Sequence, residues 1–147
     1  MTTTYATDDD VYLRSPLVGA ALVRVNALRA EASAASVAAG GAAIAATTVD
    51  AYRVEAQRQI LALLLGRGIT EGMIGNAAAL LEPEALLCAA LLFEAASVRD
   101  DAVQGQVDVF AGQGRTARAK YNNALASANP LGASTRPTGR TFTWGRR

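Results

Sequence analysis

The chain of 147 residues is long enough for one domain with a modest core. It has no histidine and one cysteine, which excludes histidine-based acid–base catalysis, histidine-ligated metal sites and a disulfide within the chain. The net charge of +1 is segregated: residues 1–108 carry seven Lys or Arg against thirteen Asp or Glu, whereas residues 109–147 carry seven cationic side chains and no acidic one. Alanine, at about a fifth of the residues, favours helix.

The first helix is predicted to begin at Thr7, whose hydroxyl can cap a backbone N–H. Asp8, Asp9 and Asp10 follow where the helix dipole favours carboxylates. A divalent-metal site would need further oxygen ligands from elsewhere, so the acidic run is interpreted as a helix start. Residues 11–13 then form the apolar side of a short helix.

A second helix is predicted to begin after Ser15, with Ser15 as the cap and Pro16 at the first helical position. Its apolar face follows the helical repeat and consists of Leu17, Ala21, Val25, Leu28 and Ala32. Residues 33–48 are almost wholly small and uncharged. They are compatible with helix, a small hairpin or a loop, of which we favour the loop.

The clearest helix is predicted from Thr47, with Asp50 completing a capping box, to a stop at Gly66 or Gly68. Its inner face is Tyr52, Ala56, Ile60, Leu63 and Leu64.

A further helix begins at Pro83 and Glu84 and is predicted to be the central core helix. Its broad apolar surface comprises Leu86, Leu87, Ala90, Leu91, Phe93 and Val98. The lone Cys88 lies in this apolar run and is predicted to be a buried, unreactive side chain.

Three glycines in residues 104–114 predict a turn or exposed loop, with Val107, Val109 and Phe110 as its apolar tip. A final helix follows from about Arg115 and ends before Asn129-Pro130. The fold prediction is therefore all-α: a small bundle of four to five helices over residues 1–128, followed by an extended C-terminal arm over residues 129–147.

The candidate site is this arm, which ends in an alternating aromatic and basic string. Its candidate contact residues are Arg136, Arg140, Phe142, Trp144, Arg146 and Arg147. Phe142 and Trp144 lie two residues apart and would share one face of an extended segment, as anchors on a partner do. Three interpretations remain: docking on a protein, weak binding to nucleic acid, and a tail without function.

No pattern predicts an enzyme or a cofactor. The fragments Gly66-Arg-Gly68 and Gly112-Gln-Gly114 do not follow apolar strands, as a phosphate-binding loop requires. Serines have no histidine to activate them. The start of the chain lacks a signal peptide and no apolar run reaches about 18 residues, so we expect a soluble protein made in a reducing cytoplasm.

The order of motifs resembles the small head-to-tail adaptor, or connector, proteins of tailed bacteriophages. The resemblance covers Tyr5 to about Ser127 and is carried by four segments: Tyr5-Ala-Thr-Asp-Asp-Asp-Val11, Leu65-Gly-Arg-Gly-Ile69, the helix begun by Pro83, and Ala119-Lys-Tyr-Asn-Asn-Ala-Leu125. The usual Asp-rich loop of the family is not evident.

The resemblance implies a structural virion protein, assembled in the host bacterial cytoplasm. Such subunits form a ring, typically of twelve copies, between the portal protein and a tail or neck protein, and the ring continues the DNA channel without reading sequence. It further implies that residues 136–147 grip the portal and that Val107, Val109 and Phe110 meet a neighbouring subunit or the tail component. The alternative is a small DNA-binding protein that uses the basic arm.

Overall fold

The computed structural model describes residues 4–97 and 104–132, with the side chains of residues 104–107 excluded. Within these residues the fold is all-helical, as predicted, and contains no strand. The five helices are α1 (Asp8–Arg14), α2 (Val18–Ala38), α3 (Val49–Gly66), α4 (Leu81–Ala96) and α5 (Gln104–Ser127). Two short 3-10 turns, Glu71–Met73 and Ala77–Leu80, connect α3 to α4.

Local capping chemistry sets two of the helix starts. Thr7 forms a full capping box with Asp10, confirming the first predicted start. The start of α3 is displaced by one residue from its prediction, because Thr48, not Thr47, caps the helix and accepts the N–H of Ala51. The predicted stop of α3 is confirmed: Gly68 has a φ of +81°, a left-handed conformation that glycine adopts without steric strain.

Helix α2 begins two residues later than predicted. Its first residue is Val18, whose N–H donates to the carbonyl of Ser15 at 3.1 Å, and no side chain caps it. Val18, Ala21 and Val25 are buried against the body, whereas the predicted core residue Leu17 is 42 % exposed.

Helix α4 is the centre of the bundle, as predicted, and contacts each of the other four helices. Leu87, Leu92 and Phe93 are almost completely buried within it. Burial of each such side chain stabilises the fold by about 1.5–3 kcal/mol relative to exposure. The core therefore depends on this helix more than on any other.

The prediction of a turn or exposed loop over residues 104–114 is wrong, because this segment is the first half of α5. Phe110, assigned to an exposed tip, is buried, and its ring stacks on that of Phe93 with centroids 6.2 Å apart. A Cβ added at Gly114 would lie 3.4 Å from the Cβ of Phe93, in van der Waals contact, so α5 runs close to α4 here and leaves little space for a longer side chain. Packing against α4 outweighs the low helix propensity of the glycines.

The prediction of a loop over residues 33–48 is also partly wrong, since α2 continues to Ala38. Gly40, with a φ of +85°, then turns the chain, and residues 39–48, the return segment, run back beside α2 without regular structure. Four polar side chains of α2 tie the two together. Asn26 pairs with the backbone of Thr47, Arg29 donates to Ala45, Ser33 accepts from Ile44 and Ser36 donates to Ala42.

The body continues past the end of α5. The N–H of Asn76 donates to the carbonyl of Pro130 at 2.8 Å, its side chain donates to the carbonyl of Asn129 at 3.3 Å, and Leu131 packs on the core. Residues 129–132, placed in the arm by the sequence analysis, therefore pack with the bundle.

Candidate functional site

The main buried polar cluster lies where the N-terminal segment crosses α3 and α4. Glu84 has no solvent-exposed surface. Its two carboxylate oxygens accept the backbone N–H groups of Tyr5 and Ala6, each at 3.0 Å. Glu84 is 79 residues from Tyr5 and 78 residues from Ala6 in the chain, so these bonds join distant segments. Hydrogen bonds to a charged acceptor are stronger than those to a neutral one.

Arg53 of α3 completes the cluster from the other side. Its side chain is only 12 % exposed, and its guanidinium donates to the carboxylates of Asp8, at 2.7 Å, and Asp50, at 2.6 Å. It also donates to the carbonyl of Ala6 at 2.6 Å and to the hydroxyl of Thr4. One fork-shaped cation thus satisfies four acceptors, a task that suits arginine and not lysine.

The electrostatics of the cluster centre on Glu84. Burial raises the pKa of its carboxyl above the ordinary value, while the N–H groups of Ala6 and Tyr5 and the nearby Arg53 oppose that rise. A carboxyl with no exposed surface and both oxygens bound by backbone donors is positioned to hold the N-terminal segment and offers no face to a substrate.

Cys88 lies one helical turn after Glu84, on the same side of α4. It is buried, as predicted, and its thiol contacts the carbonyl of Val49 at 3.8 Å. Burial raises the pKa of the thiol to about 12. Because the thiolate is the nucleophile, this side chain is unreactive in the folded protein.

The acidic run at the start of α1 is engaged by protein partners. The carboxylate of Asp10 accepts the N–H and hydroxyl of Thr7, both at 2.8 Å, and these two bonds lower its pKa. Asp8 pairs with Arg53. Across residues 4–97 and the described part of α5, no group of three potential metal-ligating side chains converges.

The predicted site residues fall into three groups. Arg136, Arg140, Phe142, Trp144, Arg146 and Arg147 lie outside the described residues, as does the side chain of Val107. Val109, on the outer side of α5, is 52 % exposed, whereas Phe110 on its inner side is 5 % exposed. Of the predicted contact loop, only Val109 is therefore shown on the surface of the protein.

Large apolar side chains are exposed on the first three helices. Leu13 of α1 is 79 % exposed, Val23 of α2 is 71 % exposed and Leu65 of α3 is 62 % exposed. Single exposed apolar residues are ordinary on a protein surface, and contiguous apolar patches are what mark interaction sites. An open depression of about 440 Å³ is lined mostly by polar side chains, those of Arg14, Glu82, Lys120, Asn123 and Ser127, together with Leu86 and Ala124. A second, of about 660 Å³, lies between α2 and the return segment.

Comparisons with known proteins identify no relatives: no protein-family model matches the chain, and neither does any curated protein or solved structure. In the described part of the chain, no helix is long and apolar enough to cross a membrane.

The sequence analysis missed the clamp formed by Glu84 and Arg53. It assigned no role to Arg53 and treated Glu84 only as part of a helix start. One signal was present, since Glu84 shares a helix face with Leu87 and Cys88, where a carboxylate requires a buried partner. The partners themselves are backbone groups of residues 5 and 6, which no side-chain pattern encodes.

Proposed function

We propose that this protein is a non-enzymatic structural subunit of a tailed-bacteriophage virion, a head-to-tail adaptor. In this role it forms a ring, typically of twelve copies, between the portal and the tail or neck protein, with DNA passing through the centre. The body supplies the ring and the arm docks on the portal. Phe142 and Trp144 provide the apolar anchors, and the nearby arginines provide charge-assisted contacts.

The observation that carries the proposal is the combination of a closed polar core with exposed apolar helix faces. The carboxyl of Glu84 and the thiol of Cys88 are sealed from solvent. By contrast, Leu13, Val23 and Leu65 are open on the surface. Exposed apolar side chains suit a subunit that works by contacting other proteins.

The segments that carry the family resemblance support the same interpretation at the level of architecture. Tyr5 and Ala6 donate to Glu84, Gly68 ends α3, Pro83 lies in the first turn of the central helix, and Tyr121 is buried on α5. Each resembling segment is thus at a junction that holds the bundle together. In this proposal the resembling segments account for the fold of the subunit, and the arm accounts for the specific recognition of the portal.

Truncation of the arm tests the proposal. Removal of residues 133–147 leaves all the described residues in place, so the variant should fold while losing attachment to portal rings of the virus that encodes the chain. The measurement is negative-stain electron microscopy and co-sedimentation with those rings. Unchanged attachment would contradict docking by the arm.

Two double variants test whether the aromatic side chains, and not the segment in general, provide the attachment to the portal. Phe142→Ala with Trp144→Ala should reduce portal attachment at least tenfold, the effect of losing buried aromatic anchors. Thr141→Ala with Thr143→Ala changes the alternate positions of the same segment and should have little effect. Equal losses in both variants would argue against anchoring by the aromatic side chains.

The alternative function is binding to DNA through the basic arm, favoured by the excess of cations in residues 109–147. Within the described part of that region, Arg118 is already paired with Glu94 at 2.7 Å, which reduces the positive charge available on α5. Salt titration of duplex binding distinguishes the functions. Nanomolar binding with a steep salt dependence supports the alternative, and no binding at physiological salt supports the adaptor.

A further inference from the structure

The junction of α1 and α2 exposes a contiguous apolar surface. Leu13 is 79 % exposed, and Tyr12, Pro16 and Leu17 are exposed beside it. The ring of Tyr12 extends this surface from α1 onto α2, because a Cβ added at Gly19 would lie 3.6 Å from its Cε1 atom. Tyr12, Leu13, Pro16 and Leu17, here named the elbow face, therefore form a patch on one turn of the chain, and apolar patches mark interaction sites.

A free carboxylate borders the elbow face. Asp9 is exposed and lies four residues before Leu13, which places it one helical turn away on the same side of α1. Its neighbours Asp8 and Asp10 are engaged by Arg53 and by Thr7, whereas no cation pairs with Asp9 among the described side chains. An apolar patch with an unpaired anion at its edge matches a ligand that combines large apolar side chains with cations.

The described chain ends close to this surface. Arg14, the last residue of α1, and Ser127, the last residue of α5, line the same depression of about 440 Å³. Beyond Ser127, the carbonyl of Pro130 accepts the N–H of Asn76 at 2.8 Å, which holds the chain just before the start of α4. Glu82, in the first turn of α4, also lines the depression. Residue 133 thus leaves the body beside a depression whose far side is the end of α1.

We infer that residues 133–147 of the free protein fold back across this depression and cover the elbow face of the same chain. Phe142 and Trp144 pack on Leu13 and Leu17 in this closed arrangement. The apolar anchors of the arm and the exposed apolar patch of the body are then removed from water together. The inference goes beyond the adaptor function, because it concerns the protein before any portal is present.

The length of the arm is sufficient for this path. Trp144 is twelve residues beyond Gly132, and an extended segment of that length spans at most about 40 Å. Helix α5, with 24 residues, is about 36 Å long at 1.5 Å per residue. The arm can therefore reach as far as the longest helix of the body extends, whereas the path to the elbow face crosses a single depression.

The charges along the path are complementary to the arm. Residues 133–147 contain four arginines and no acidic residue. Glu82 meets the first part of the arm in the depression, and Asp9 meets its end beside the elbow face. Lys120 also lines the depression and opposes the arginines, but Glu82 offsets its charge. Arg14 is engaged by Asp10, whose carboxylate is 3.8 Å away and whose carbonyl accepts its N–H at 3.2 Å.

The small size of the elbow face favours an occupant from the same chain. Four residues offer far less area than the roughly 1,200–2,000 Å² that a stable interface between separate molecules buries. A segment tethered ten to twelve residues away has an effective concentration on the order of millimolar. A contact too weak to join two molecules at micromolar concentration is therefore formed within one chain.

The fluorescence of Trp144 tests the closed arrangement, because this residue is the only tryptophan of the chain. At micromolar concentration the emission of the full chain should lie to the blue of that of a synthetic peptide of residues 133–147. Acrylamide should quench it roughly threefold less efficiently, as expected when most arms are bound. Leu13→Lys should restore the values of the peptide. Leu65→Lys is the matched control, since Leu65 is 62 % exposed on α3, and should leave the emission unchanged.

Paired cysteines test the position of the arm. Leu13→Cys combined with Gly145→Cys should form a disulfide within one chain under oxidising conditions, seen as a faster-migrating monomer in non-reducing electrophoresis. Leu65→Cys combined with Gly145→Cys is the control and should remain mostly uncross-linked. The native Cys88 is buried and does not interfere.

The outcomes separate this inference from the proposed function. Emission of Trp144 equal to that of the peptide overturns the closed arm, and so does an equal response to Leu13→Lys and Leu65→Lys. Cross-links between two chains, or a blue shift that disappears on dilution, assign the arm to a second copy and also overturn it. An exposed Trp144 in a chain that attaches to the portal rejects only the closed arm. A closed arm without portal attachment rejects only the adaptor.

Discussion

The carboxylate of Glu84, wholly buried in α4, accepts the backbone N–H of Ala6 at 3.0 Å across 78 residues of sequence. Its second oxygen accepts the N–H of Tyr5, and Arg53 binds the carbonyl of Ala6 from the opposite side. The segment that leads into α1 is therefore held between two helices by polar contacts. Buried polar groups of this kind contribute most when all partners are present, and the removal of one leaves the others unsatisfied.

Replacement of Glu84 by alanine should lower the free energy of unfolding by about 3 kcal/mol, because the N–H groups of Tyr5 and Ala6 lose their acceptor and Arg53 loses a nearby anion. The measurement is urea denaturation followed by circular dichroism. Glu82→Ala is the matched control, since Glu82 is exposed in the same helical turn and its loss should be below about 1 kcal/mol. Equal losses for the two variants would contradict the clamp.

The carboxyl of Glu84 should also give stability a specific pH dependence. Its folded-state pKa is raised above 4.5, so the folded chain binds this proton more tightly than the unfolded chain. The resulting contribution is fully present below pH 4.5 and is lost as pH rises through the raised value. The stability of the native chain relative to Glu84→Gln, measured at a series of pH values, should therefore fall as pH rises.

Asp10 provides the control with the opposite sign. Its hydrogen bonds with Thr7 lower its folded-state pKa below 3.8. The stability of the native chain relative to Asp10→Asn should be full above pH 3.8 and should be lost as pH falls through the lowered value. If stability changed with pH in the same direction for both residues, the assignment of Glu84 as a buried carboxyl and of Asp10 as a member of the capping box would be contradicted.

Loss of the first helix cap should be measurable by itself. Thr7→Ala removes the hydroxyl that accepts the N–H of Asp10 and should lower the free energy of unfolding by about 1 kcal/mol. Thr70→Ala is the control, because Thr70 is exposed and makes no capping bond with its side chain. The two variants can be compared by thermal denaturation, and an equal effect would argue against the capping box.

Two glycines of α5 should respond differently to substitution. Gly112→Ala should stabilise the protein by about 0.5–1 kcal/mol, because alanine favours helix and the added methyl approaches only the end of the Arg115 side chain, at 3.9 Å. Gly114→Leu should destabilise it by about 1–3 kcal/mol, because α4 leaves no room beyond a Cβ. If Gly112→Ala does not stabilise the protein, residues 104–114 are not a regular helix in solution.

Cys88 should react with thiol reagents only when the chain unfolds. Burial and a pKa of about 12 keep it protonated and inaccessible in the folded state. Val54→Cys supplies the positive control, since Val54 is 49 % exposed on α3 and a cysteine there should be labelled at once. Rapid labelling of Cys88 in the native chain would contradict its position in the core.

The elements that could be predicted from the sequence are those governed by neighbouring residues. Thr7 and Asp10 lie three residues apart and can complete a capping box without any other part of the chain. Gly68 ends α3 because glycine adopts a positive φ without strain. The continuous apolar run after Pro83 requires burial on all sides and therefore identifies the central helix.

The sequence by itself thus determined an all-α fold, its central helix and a buried, unreactive cysteine, because helix propensity, capping and apolar periodicity act over a few residues. Only the tertiary structure decided that Phe110 stacks on Phe93, that the glycine-rich segment before Arg115 is helical, and that Glu84 and Arg53 clamp the N-terminal segment. These features depend on contacts between residues far apart in the chain. Their energies outweigh local propensities that, for a single glycine, amount to about 1 kcal/mol.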